Sequence, residues 1–160
     1  MINLAEETID KSDLIALTEW LDKNPRLTKG QETEKFEQEW SSWQGQESSI
    51  FVNSGSSANF MMFHALLYSN LLKNKKVVVP SISWVTTVSP AMLLGYEPIP
   101  CDCDREDLGL NLSDFERICQ EESPSIAIVV HVLGHSNKMK EISEICERYD
   151  VILLEDCCEA

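Results

Sequence analysis

The chain has 160 residues, with 13 lysines and arginines against 27 aspartates and glutamates (formal charge −14), 43% hydrophobic and 25% charged. This suits a soluble globular protein with a sizeable core, and the acidity makes nucleic acid and anionic membrane surfaces poor partners. No apolar run approaches the ~20 residues that cross a bilayer, and the acidic start is unlike a signal peptide, so a cytoplasmic protein is expected.

Two helices come first. Residues 12–23 place Leu14, Leu17 and Leu21 at helical spacing, behind Ser12 or Asp13 as N-cap. Pro25 and Gly30 interrupt the pattern, and residues 31–43 resume it through Phe36, Trp40 and Trp43 until Gly45. Residues 1–45 therefore read as a helical arm.

From residue 49 the rhythm changes. Apolar runs at 49–53, 76–80, 96–104, 125–132 and 151–157 alternate with helical stretches, which predicts five strands. Short, continuously apolar strands separated by helices mean an α/β fold with a mostly parallel sheet covered on both faces, over residues 46–160. The expected sheet stops at its fifth strand, which would leave an apolar edge.

In open α/β sheets ligands bind beyond the carboxyl ends of the strands, and three of these ends carry unusual residues. Asn53-Ser54-Gly55-Ser56-Ser57-Ala58-Asn59 leads into a helix, where small residues with free amides suit phosphate; it also reads as a serine-rich N-cap. It is neither a Walker loop nor a G-x-G-x-x-G loop. Trp84, at the next helix start, suits stacking on a flat ring or packing in the core. Asp156, closing the last run, suits a protonated ring nitrogen or an ordinary cap or ion pair. Together these are the parts of a pyridoxal phosphate site: a phosphate cradle, a stacking aromatic and a pyridinium partner.

The other reactive residues read more simply. The 6 cysteines fall mostly in apolar or helical patterns and are expected as reduced thiols. Neither Cys101-x-Cys103 nor the adjacent Cys157 and Cys158 has the spacing of a zinc site. His131 and His135 bracket a strand end without sharing a helical face, and His64 lies mid-helix, so no metal site is expected.

The stretches "VNSGSSAN", "VPSISWVTTVSPAMLLGYEPIPCDCD" and "VVHVLGHSNKMKEISEICERYDVILLEDCCEA" resemble the amino-terminal half of the fold-type I, pyridoxal-phosphate-dependent sugar-nucleotide aminotransferases of the DegT/DnrJ type. The resemblance runs from about residue 25 to Ala160 and implies an aminotransferase-like large domain. It implies that Gly55 and Ser56, with Ser57 beside them, contact the cofactor phosphate. Trp84 would stack on the pyridine ring, Asp156 would pair with its nitrogen, and Glu159 would lie near the ring hydroxyl. The "LTKG" segment at 27–30 matches a family stretch near the active-site entrance.

The implied reaction moves an amino group from a donor such as glutamate to a keto-sugar nucleotide, in amino-sugar synthesis for surface polysaccharide or related glycans. The full-length protein would be a homodimer using pyridoxal or pyridoxamine phosphate. "NSGSSAN", "SWVTTVSP" and "EDCCEA" are at least as similar to the family's sugar-nucleotide 3-dehydratases, which carry histidine in place of the Schiff-base lysine. None of Lys11, Lys23, Lys29, Lys35, Lys73, Lys75, Lys76, Lys138 and Lys140 matches that lysine's position. No catalytic residue is therefore assigned, and the chain is expected to be a partial large domain, inactive alone, without the lysine and the small domain. A non-catalytic half-domain is the remaining reading.

Overall fold

Asp10 starts the first helix. In the computed structural model, which describes residues 6–160, α1 spans Lys11–Leu21. The Asp10 carboxylate accepts the Ser12 and Asp13 amides while Asp13 accepts the Asp10 amide. This reciprocal capping box puts the cap two residues ahead of Ser12 and three ahead of Asp13, the two expected candidates. α2 spans Gln31–Gln44 and ends at Gly45, whose φ of 68° is the left-handed turn that glycine adopts without strain.

The run at 49–53 forms no strand, contrary to its apolar pattern. A side chain captures its backbone, the Phe51 amide donating to Glu37 Oε1 at 2.8 Å, and the Ser41 hydroxyl donates to the Ser49 hydroxyl at 2.9 Å beside it. The Phe51 ring packs edge-on against Phe36, 5.6 Å between centroids. The chain divides here into two compact units, one ending at Phe51 and the other running from Val52 to Ala160.

The second unit contains α3 (Gly55–Tyr68), β1 (Lys76–Pro80), α4 (Val85–Leu93), β2 (Glu97–Cys101), α5 (Leu112–Glu122), β3 (Ile126–Val130), α6 (Met139–Tyr149) and β4 (Ile152–Asp156). The four strands described are all parallel, in the order β2-β1-β3-β4. The chain thus steps outward from β1 to β2, then crosses to the other side of β1 to lay down β3 and β4.

Strand pleating explains the two cores. Val77, Val79, Ile126 and Ile128 face one way and pack with Phe63 of α3 and Ala91 of α4. Val78, Ala127 and Val129 face the other way and pack with Phe115 and Ile118 of α5 and Ile142 and Ile145 of α6. Both faces are covered, which is why β3 reads as an unbroken apolar run and is buried throughout.

Polar side chains finish the helix ends. Lys73 Nζ donates to the carbonyls of Tyr149 and Asp150, each at 2.7 Å, placing a cation at the carboxyl end of α6. The Tyr96 hydroxyl donates to the Phe63 carbonyl at 2.8 Å, tying the start of β2 to α3.

One feature of the sheet positions the site. β1–β2 and β3–β4 are paired over five residues each, but β1–β3 only at Val77–Ile126 and Val78–Ala127. The sheet therefore opens toward the carboxyl ends of β1 and β3. That is also where strand order reverses, the place where open α/β sheets bind ligands.

Candidate functional site

Three elements converge on one carboxylate. Asp156 ends β4 and is 7% exposed. Its Oδ2 accepts the Asn59 amide of α3 at 2.8 Å and the Thr87 hydroxyl of α4 at 3.1 Å. Its Oδ1 accepts the Cys158 backbone amide at 3.2 Å. Burial alone would raise the Asp156 carboxyl, but the hydrogen bonds from Asn59, Cys158 and Thr87 outweigh it and hold the group below its ordinary value. The result is a buried anion kept ionised by neutral donors, with no cation among its partners.

These contacts bring the expected residues toward one place. Asn59 lies one turn along α3 from Gly55, and Thr87 lies three residues beyond Trp84. At the α3 start, the Ser54 hydroxyl caps the helix by accepting the Ser57 amide at 3.2 Å, and the Ser57 hydroxyl donates to Asn53 Oδ1 at 2.6 Å. The Gly55 and Ser56 amides have no partner among the described residues, and a Cβ at Gly55 would meet only open space. Two free amides at a helix N-terminus are the arrangement that takes a phosphate. Ser57 is committed to the local cap, so its side chain is less available than those of its neighbours.

Trp84 precedes α4 and is 73% exposed. This excludes the core-packing alternative and leaves its ring face open. Glu159 is held differently: its carboxylate accepts the Leu133 amide at 2.7 Å. The turn at 132–134 wraps around it, with Leu133 and Gly134 at φ 54° and 77°.

His131 is a buried structural histidine at the end of β3. Its Nδ1 accepts the Asn137 backbone amide at 3.2 Å, which puts the ring proton on Nε2, facing Glu155 at 3.3 Å. The structure groups His131 with Glu155 and Cys157, not with His135, and their donor atoms lie within 4.8 Å of one another. A metal on Nε2 would have to displace the proton that this tautomer carries there.

Hydrophobic patterning does not single out Asn59 or Thr87. Asn59 reads as the tail of the serine-rich loop, yet it is the fifth residue of α3 and is 4% exposed. A buried polar side chain one turn before buried Phe63 demands a partner, and that was the available signal.

A profile of the DegT/DnrJ/EryC1/StrS aminotransferase family matches residues 7–160. The chain belongs to that family. It has the fold-type I aminotransferase-like arrangement of a parallel sheet flanked by helices. Among curated relatives, the GDP-4-keto-6-deoxy-D-mannose 3-dehydratase of Yersinia pseudotuberculosis is 33% identical over 165 residues, covering 100% of this chain and 42% of the relative. The UDP-4-amino-4-deoxy-L-arabinose–oxoglutarate aminotransferase of Shewanella sediminis is 29% identical, covering 98% and 39%. Among solved structures, the E. coli GDP-4-keto-6-deoxy-D-mannose-3-dehydratase with bound hydrated PLP superposes with a TM-score of 0.89 at 32% identity, covering 99% of this chain and 42% of that one. The chain thus spans about two-fifths of the length of the relatives it matches. Among the described residues no helix is long and apolar enough to cross a membrane.

Proposed function

We propose that this family member binds pyridoxal or pyridoxamine phosphate at the carboxyl ends of β1, β3 and β4, as the large-domain part of a sugar-nucleotide 3-dehydratase. The observation that carries the cofactor reading is the Asp156 carboxylate, buried and ionised with neutral donors on three sides. An anion so held has attraction to spare for a protonated ring nitrogen, and it keeps that proton in place. The free amides of Gly55 and Ser56 fit the phosphate, the exposed Trp84 ring fits the pyridine face, and Glu159 lies in the turn after Asp156. The donor set therefore fits the group. When bound, the cofactor supplies an electron sink for breaking bonds at the attached carbon; the chain binds it, fixes its plane and holds its ring proton.

The reaction reading rests on the relatives. Two GDP-4-keto-6-deoxy-D-mannose 3-dehydratases are 33% and 32% identical to this chain, whereas two sugar-nucleotide aminotransferases are each 29% identical. This favours removal of a sugar hydroxyl over retention of an amino group, the reverse of the order expected from sequence. The aminotransferase reading stands second, supported by the family as a whole. In either case the substrate class is a keto-sugar nucleotide, with glutamate as amino donor.

The test supplies the cofactor-loaded full-length protein with a GDP-linked 4-keto-6-deoxy sugar and glutamate, and resolves the product by mass. A 3-deoxy keto sugar is the expected product. A 4-amino sugar that retains its 3-hydroxyl would overturn the dehydratase reading in favour of the second.

A further inference from the structure

The Asn59 side chain makes two hydrogen bonds, and both partners are acceptors. Its amide donates to Asp156 Oδ2 at 2.8 Å and to the Thr86 carbonyl at 3.2 Å. The side-chain orientation follows from this, since only the NH2 end has two protons to give. The acceptor of the second bond lies one turn before a proline. Thr86 lies in the first turn of α4, and its carbonyl would ordinarily accept the amide of residue 90. Residue 90 is Pro90, buried inside the helix, and it has no amide to offer. The carbonyl left without a helical donor is the one that anchors Asn59.

We propose that Asn59 is a positioning residue, and that Pro90 enables it by leaving the Thr86 carbonyl free to hold its amide at a fixed angle. Anchored there, the amide pins Oδ2 of Asp156. With the Thr87 hydroxyl on the same atom at 3.1 Å, both lone pairs of Oδ2 are filled. Oδ1 accepts the Cys158 backbone amide at 3.2 Å, and the one further donor to the carboxylate among the described residues is the Cys158 thiol, a weak donor that a ligand can displace. The two bonds therefore fix the rotation of the carboxylate and decide which oxygen meets a ligand. They also join α3, whose first turn carries the free amides, and α4, which follows Trp84, to the same carboxylate. A proline in a helix interior is ordinarily unfavourable, and here the loss is tied to a specific contact.

The proposal rests on the reading of Asp156 as the ring-nitrogen partner, and the test separates the two. Equilibrium dissociation constants are measured on the full chain for pyridoxal phosphate and for its 1-deaza analogue, which has carbon in place of the ring nitrogen. Their ratio reports only the Asp156 contact, because damage to the phosphate site or to the fold weakens both ligands alike. The wild-type chain should prefer pyridoxal phosphate about tenfold or more, as a charge-assisted hydrogen bond gives. Pro90→Ala restores an amide that competes for the Thr86 carbonyl. It should lower the ratio about threefold or more while the thermal midpoint holds or rises, since alanine is the better helix residue. Asn59→Leu should bring the ratio close to one. A wild-type ratio in Pro90→Ala would overturn the proposal. A ratio of one in the wild-type chain would overturn the reading of Asp156 itself, and the proposal with it.

Discussion

At Asp156, burial and hydrogen bonding act in opposite directions, and hydrogen bonding wins. The folded carboxyl titrates below the ordinary aspartate value of 3.8. A carboxyl depressed by folding stabilises the fold above its unfolded pKa, and that stability is lost as the pH falls through the folded value. Stability should therefore decline below about pH 4, and Asp104 and Asp114, which are also depressed, act in the same direction. Asp156→Asn removes one contribution, so its urea midpoint should fall less steeply between about pH 4 and 2 than the wild-type midpoint. Equal slopes in the two proteins would contradict the balance of forces described here. At this scale the sequence shows Trp84 and Asp156 readily, because an aromatic and an acid after apolar strands are out of place there. It hides Asn59, Thr87 and Pro90, because each looks like an ordinary helix residue until the element opposite is known.

Among the elements, the helices and the four strands of the second unit were legible from periodicity, and the run at 49–53 was not. Its apolar letters are those of a strand, but a strand needs a ladder partner. The Glu37 carboxylate, which accepts the Phe51 amide, supplies a local alternative. Likewise α1 starts at Lys11 because Asp10 and Asp13 form a reciprocal cap ahead of it. Side-chain competition for backbone groups is invisible to hydrophobic patterning. The loop between β2 and α5 makes a further prediction. Buried Asn137 accepts the Leu110 amide at 3.0 Å and donates to the Val130 carbonyl at 2.7 Å, linking that loop to the end of β3. A Cβ at Gly109 would fall within the Asn137 amide. Gly109→Ala should therefore cost about 1–3 kcal/mol in chemical denaturation. A change within error would mean that the amide is not held there.

Over the whole molecule, the thiols report the packing of the second unit. Cys101, Cys119 and Cys146 are buried in the core against α5 and α6. Burial pushes Cys119 up to about 11 and Cys146 up to about 12, and drives Cys101 higher still. Burial also raises Cys157, and Cys158 to about 11, so it is access that separates these two exposed thiols beyond β4 from the core set. Alkylation of the native chain, followed by mass spectrometry, should modify the exposed pair while the three core thiols react only in denaturant. Labelling of Cys119 or Cys146 at the rate of Cys157 would contradict a packed α5–α6 face.

The fold class was legible at this scale because alternating strands and helices admit few arrangements. The order of reactions within the family was not legible, since the motifs shared by its aminotransferases and 3-dehydratases are those that hold the cofactor. The central claim, that Asp156 holds a cofactor ring proton, is tested most directly by binding pyridoxal phosphate labelled with 15N at the ring nitrogen and recording its chemical shift at neutral pH. The expected result is a protonated nitrogen in the wild-type chain and an unprotonated one in Asp156→Asn. An unprotonated nitrogen in the wild-type complex, or one indifferent to the substitution, would contradict the claim.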